Sequence, residues 1–247
     1  MNSIRIRFTR GEEVKFISHL DLMKVFERAI RRSGLPMSYS QGFNPHPQMV
    51  FGMPLSVGMT GSGEYADFEL VSEAKPEMFV KRLNEALPEA IRVTAAGIKN
   101  TKSNIMASIT GADYIMELFV REELQPEAAL RSFNNMMKQD AIPVIRESKG
   151  KDGRDTFKET DIKPLIISAS FEAMQDMHPG YEDFKTAFIL KARFRAGNAA
   201  NLRPDLFIKA LSEQAGIPVA ASRVHRSALY VDFNGVMTDP LDPAILA

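Results

Sequence analysis

Cysteine is absent from the 247 residues. That excludes disulfides, thiolate nucleophiles, cysteine-based zinc sites and cysteine-ligated iron–sulfur clusters. Tryptophan is absent too, and there are four histidines, His19, His46, His178 and His225. Acid–base or metal chemistry would have to use those four together with carboxylates, Tyr, Lys or Arg. Net charge is missing as well: 31 Lys plus Arg balance 31 Asp plus Glu, so the chain is no histone-like polycation. No apolar run approaches the roughly 20 residues that span a bilayer, and Met1-Asn2-Ser3-Ile4-Arg5 lacks the apolar core of a secretion signal. A cytoplasmic protein without a membrane partner is expected. With 45% apolar and 25% charged residues, the composition is that of a globular chain rather than a disordered or collagen-like one.

The neutral total conceals an asymmetry. Residues 1–50 hold eight Lys/Arg against four acids, and two of the four histidines. A local basic patch of this kind binds phosphates even on a neutral protein. Ile4, Ile6 and Phe8 alternate with Arg5, Arg7 and Thr9, predicting a strand with one apolar and one basic face. A helix follows over 19–33: Ser18 is a good N-cap, Asp21 stands three residues on, and Leu22, Phe26, Ala29 and Ile30 form its stripe. Arg31 and Arg32 suit its negative end, and Gly34 is a natural stop. Residues 34–48 read as loop. Short strands near 49–53 and 65–71 flank a connection with Gly58, Gly61 and Gly63. A helix starting at Pro76 and a strand over 91–98 complete a β-α-β-β-α-β order, the ferredoxin-like split unit.

Residues 101–112 are small and polar and read as a linker. The second half offers a strand at 114–120, a helix at 126–139, a hairpin turning at Asp152-Gly153, strands at 165–171 and 187–195, a helix from Pro204 to about Ala215 and a strand at 228–233. The same order recurs with one extra hairpin. The expected fold is α+β: two tandem ferredoxin-like domains with antiparallel sheets, over 1–100 and 113–236, with a C-terminal tail at 237–247.

Four constellations carry candidate chemistry. Ser18-His19-Leu20-Asp21 places a histidine at a helix start, where anions are attracted and a histidine pKa is lowered; a capped helix with an exposed histidine is the plainer reading. Tyr39-Ser40-Gln41-Gly42-Phe43-Asn44-Pro45-His46-Pro47 sets two aromatics among amides, with His46 clamped by prolines, a loop suited to stacking and reading a base. The alternative is a rigid turn with its aromatics packed inward. Arg5/Arg7 and Lys191/Arg193/Arg195, with His225-Arg226, are phosphate-tracking faces or solvated strand faces. The Gly58–Gly63 stretch is neither a P-loop nor a dinucleotide fingerprint. No paired-histidine metal motif or nucleophile elbow occurs, so no metal and no cofactor are expected.

Three segments carry a resemblance: 16–29 with Ser18-His19-Leu20-Asp21, 39–47, and Asp161-Ile162-Lys163-Pro164-Leu165-Ile166. With them the chain resembles the radical-SAM-linked bacterial family, whose domains are fused to, or encoded beside, a B12-binding-type radical S-adenosylmethionine protein. The resemblance implies a radical SAM partner. Lacking cysteine, this chain does not bind that enzyme's cluster by thiolates and would supply substrate binding or positioning. More distantly, the tandem architecture is similar to the CRISPR repeat-processing endoribonucleases, which cleave RNA without metal by general acid–base chemistry. There His19 and His46 would be catalytic, with Tyr39 or Lys15 as partner. The glycine-rich loop usual in those enzymes is reduced here to one glycine in Ala196–Asn201.

The leading expectation is an accessory module binding tRNA or rRNA for a radical SAM modification enzyme. Arg5, Arg7, Arg31 and Arg32 would hold phosphates, and Tyr39, Gln41, Phe43, Asn44 and His46 a base. A metal-independent endoribonuclease and a pure protein adaptor are the alternatives. DNA is not expected as a partner.

Overall fold

A β-strand whose alternate residues are Ile4, Ile6 and Phe8 needs an apolar layer on one side, and the first helix provides it. The computed structural model describes residues 2–149 and 155–247; the Asp152-Gly153 turn lies outside them. The elements are β1 (Asn2–Arg10), α1 (His19–Ser33), β2 (Met49–Phe51), β3 (Thr60–Leu70), α2 (Pro76–Ala86), β4 (Ile91–Ile98), α3 (Ile105–Ser108), β5 (Ile109–Val120), α4 (Pro126–Met137), β6 (Pro143–Lys149), β7 (Asp155–Asp161), β8 (Ile166–Ala173), β9 (Thr186–Arg195), α5 (Pro204–Gln214), β10 (Val219–Phe233), β11 (Val236–Thr238) and α6 (Pro243–Leu246). This is a mixed α+β fold whose strands pair mostly antiparallel. Among the described residues, no helix is long and apolar enough to cross a membrane.

The chain divides into two compact units, with boundaries inside β5 and β10. The first runs to Ala112 and adds Ala196–Ala199 and His225–Ala247; the second is Asp113–Arg195 with Ala200–Val224. In the first, the strand order is β4-β1-β3, and β2 lies on the far edge of β3. That edge is shared. Met49–Phe51 pair with Phe68–Ala66, while His225 and Arg226 of β10 pair in parallel with Thr60 and Gly61 at the other end of β3. The helices α1 and α2 cover one face. Phe8, Phe26 and Phe51 pack edge to face at 5.1–5.9 Å, and Leu22, Ala29, Ile30, Phe79 and Leu83 fill the remaining space. The predicted stripe of α1 is the buried one, and Ser18 caps it, its hydroxyl accepting from Asp21 N at 3.1 Å.

The opposite face of this sheet is covered too. Arg5 Nη1 donates to Pro240 O at 3.2 Å, Tyr65 Oη to Asp239 Oδ1 at 3.0 Å, and Asn100 N to Leu246 O at 2.7 Å. Residues 237–247, expected as a tail, thus hold β11 and α6 and bury Leu246. Residues 101–112, expected as a linker, form α3 and the start of β5, with Ile105, Ile109 and Ala112 buried. The Gly58–Gly63 connection is shorter than its glycines imply, because Gly61 and Gly63 are already inside β3. A side chain at Gly63 would meet Ala228 Cα and Ser227 O at 2.6 Å, so the close approach of two backbones selects glycine there. β10 begins at Val219, nine residues before the predicted strand.

In the second unit the strand order is β10-β5-β9-β8. Phe133, Phe171 and Phe188 stack at 5.0 and 4.6 Å, and Phe194 meets Phe207 at 5.2 Å. β6 and β7 pair as an antiparallel hairpin.

Candidate nucleic-acid interface

Two prolines and a glycine within seven residues prevent 39–47 from joining a regular strand, yet the segment is not loose. Ser38 N donates to Glu69 O and Gln48 N to Ser38 O, each at 2.8 Å; Ser40 N donates to His46 O at 2.9 Å. Tyr39 and Pro47 form an antiparallel bridge. His46 N donates to Ser40 Oγ at 3.0 Å, and Ser38 Oγ to Gln48 Oε1 at 2.7 Å. The result is a small hydrogen-bonded loop rooted on β3. Gln41, Phe43, Asn44 and His46 at its tip are exposed, and Tyr39 sits at its root with 36% of its surface exposed. Phe43 has no burial at all. Pro47 is buried, but the aromatics are not packed inward as the rigid-turn alternative requires: Phe43 is fully exposed and Tyr39 partly so.

His46 Nδ1 lies 3.4 Å from Glu27 Oε1, placing the loop tip beside α1. Lys24 and Arg31 fall on the same face of that helix as Glu27. Arg28, Arg31 and Arg32 are exposed, and Arg32 Nη2 donates to Ala86 O at 2.6 Å. The loop tip and the face of α1 that carries Lys24, Glu27 and Arg31 therefore share one surface.

Arg5 and Arg7 are not part of it. Arg5 is fully buried and grips Asp67 with two hydrogen bonds, Nε to Oδ1 at 2.7 Å and Nη2 to Oδ2 at 3.0 Å. An arginine so enclosed cannot reach an RNA phosphate, and the expectation is corrected at this position. Arg7 stays partly exposed, 3.4 Å from Asp239 Oδ2. The other basic strand is likewise balanced: Lys191 pairs with Glu172 at 2.9 Å and Arg193 with Asp113 at 2.6 Å. At Lys191 and Arg193 the face is charge-matched, and Arg195 is exposed.

The two candidate catalytic histidines are held apart. His19 packs edge to face on Phe51, with ring centroids 5.7 Å apart, whereas His46 contacts Glu27. Eight residues of helix, about 12 Å of rise, separate His19 from Glu27, and no hydrogen bond or ion pair among the described residues joins the two histidines. A dyad built on them is not formed. Burial, then the charge of Arg10, holds His19 below the usual histidine pKa. Lys15 pairs with Glu12 at 2.6 Å.

Sequence reasoning did not foresee a set of buried polar side chains, and its placing of Arg226 on a phosphate-tracking or solvated face is corrected, since Arg226 is buried. Arg10 donates to the carbonyls of Val14, Lys15, Ile17 and Leu55, fixing the turn before α1. Arg226 grips Glu64 at 2.9 and 2.5 Å and donates to Met53 O at 2.6 Å. The ring nitrogens of His225 lie 2.8 Å from Thr60 Oγ1 and 2.9 Å from Ser62 Oγ, and burial lowers its pKa. The available signal was charge at alternate strand positions, Arg10 on β1, Glu64 on β3 and Arg226 on β10, where an inward-facing charge needs a partner. Among the described residues, no group of three or more His, Asp or Glu side chains is placed to hold a metal ion.

Residues 3–204 match the model of a family described as an uncharacterized protein conserved in bacteria (DUF2344). No curated protein matches the sequence. Among solved structures, a chain in the crystal structure of a Cbf5-Nop10-Gar1 complex is similar over 92% of this chain and 48% of its own length, with 10% identity and a TM-score of 0.48. This chain therefore spans about half the length of that one.

Proposed function

The chain belongs to that conserved bacterial family, and from its geometry we propose that it is an accessory RNA-binding module that presents tRNA or rRNA to a radical SAM modification enzyme. The observation that carries the reading is Phe43, wholly exposed at the tip of a loop whose backbone is tied by its own hydrogen bonds. An exposed ring on a tied loop is a platform on which an unpaired base can stack. Tyr39 adds a second aromatic; Gln41 and Asn44 supply donors and acceptors for base edges. Arg31 and Arg32 on the adjoining helix end supply charge for the phosphates. The radical SAM partner rests on the resemblance of segments 16–29, 39–47 and 161–166, and on the absence of thiolates in the chain itself.

The strand orders support reading each unit as ferredoxin-like. With β1, β2, β3 and β4 as first to fourth strands, the first unit is ordered fourth, first, third, second. With β5, β8, β9 and β10, so is the second. A helix follows the first and third strand in each, as in the split β-α-β unit. Mobility shifts of bulk tRNA and rRNA fragments in EDTA test the reading. Binding weakened by roughly 20- to 40-fold from roughly 50 to 200 mM salt is expected for about three phosphate contacts. Salt-independent binding, or none, would refute it. Co-purification with the radical SAM enzyme of the same genome tests the partner.

A further inference from the structure

Two adjoining cavities open at one end of the first unit, where β1 begins and β3 and β4 end. The larger, about 490 Å³, is lined by Leu70, Pro76 and Ile98 together with Asn2, Asn100, Glu73 and Lys75. The smaller, about 380 Å³, is lined by Ser38, Glu69, Lys99, Thr101 and Lys102. They share Asn2, Ser3 and Leu70 as a common wall. Each is in the size range of small-ligand sites, and neither includes the loop tip at Phe43.

The buried charges beneath the smaller cavity are not balanced among themselves, and the exposed Glu69 in its lining faces Lys99 and Lys102 across the opening as the one acid against two cations. Asp67 is buried and already engaged twice by Arg5, and it also accepts from Ile105 N at 3.0 Å. Lys99, only 8% exposed, approaches the same carboxylate at 3.5 Å, long for a hydrogen bond. Two cations thus converge on one anion. A surplus buried positive charge is costly, and an anion in the cavity that Lys99 lines would compensate it. Lys102 at the exposed rim adds a second cation, and Ser38 and Thr101 offer hydroxyls.

We propose that the two cavities form one nucleotide site. The phosphate sits in the smaller cavity against Lys99 and Lys102. Glu69 accepts hydrogen bonds from the ribose hydroxyls. The base enters the larger cavity between aliphatic walls, where Asn2 and Asn100 read its edge with amides that both donate and accept. A free nucleotide and the phosphorylated end of an RNA present the same chemistry. The site is independent of RNA binding by the loop.

Calorimetric titration of the full chain with the four ribonucleoside 5′-monophosphates and with inorganic phosphate tests this. So does a short oligoribonucleotide with and without its 5′-phosphate. At least one nucleotide is expected to bind saturably. Lys102→Glu, at an exposed position, should weaken it by about tenfold or more, the worth of one charge-assisted hydrogen bond, and Phe43→Ala should leave it unchanged. Lys99→Met should abolish it if that variant folds; if it does not, Lys102→Glu decides. Binding of the free nucleotide as tight as that of the oligonucleotide makes the free nucleotide the ligand. Tighter binding that requires the 5′-phosphate makes it an RNA end. Inorganic phosphate binding as well as the nucleotides, indifference to Lys102→Glu, or no saturable binding of nucleotide or oligonucleotide would each overturn the proposal.

Discussion

Asp67 stands directly opposite Arg5 in the pairing of β1 with β3. At the scale of single residues, that register explains why a charge pattern misleads. Arg5 and Arg7 alternate with apolar residues as on a solvated strand, and nothing within ten residues of them reveals that Pro240 and Asp239 lie over that face. Arg226 poses the same problem on β10, where the carboxylate it grips, Glu64, is 162 residues away. Removing one member of such a pair leaves a buried charge alone. Arg226→Met is expected to cost about 3–5 kcal/mol, read as a lowered urea midpoint, whereas a loss under 1 kcal/mol would mean that water reaches Glu64. His19 and His225 both have pKa values depressed by burial. The unfolded chain therefore takes up protons at these sites that the native state refuses. Their stabilising contribution is present above the unfolded value, about 6.5, and is lost as pH falls through and below it. The melting temperature should drop between about pH 7.5 and pH 5.5, and His225→Asn should flatten that drop. An unchanged pH profile in the variant would show that His225 takes no part.

At the scale of elements, α1 was fully legible because its information is local: a serine cap, four apolar residues at helical spacing and arginines at the negative end. β3 and β10 were only half legible. Gly61 and Gly63 read as a turn, since glycine ordinarily weakens a strand, and their purpose appears only when β10 lies against β3. Gly63→Ala sets a Cβ against backbone atoms at 2.6 Å, while Gly97→Ala meets the flexible end of Leu246 at 2.5 Å. The first should therefore be far the more destabilising. Thermal denaturation of the two single variants checks the ranking, and equal losses would contradict it. The C-terminal elements were missed because β11 and α6 span three and four residues, too short for any period to show. Leu246→Ala should cost about 2 kcal/mol as a buried leucine truncated at the edge of the fold. It should also speed amide exchange at Asn100, whose N–H bonds to that residue's carbonyl; unaltered exchange there would mean that the C-terminal segment is not held by its leucine.

At the scale of the whole molecule, the sequence located the loop at 39–47 but not its orientation. Proline and glycine spacing identifies a constrained segment, whereas the bridges from Met37 to Leu70 and from Tyr39 to Pro47 decide which side chains face water. The central claim is that this exposed loop stacks a base. Titration of fluorescently labelled single-stranded RNA with the wild-type protein and with Phe43→Ala, at low and moderate salt, tests it most directly. Phe43 touches nothing in the fold, so the variant should match the wild type in melting temperature. It should weaken RNA binding by about 1–3 kcal/mol, the worth of one stacked base, at both salt concentrations, because stacking releases no ions. RNA binding of equal strength in the two proteins would contradict the account.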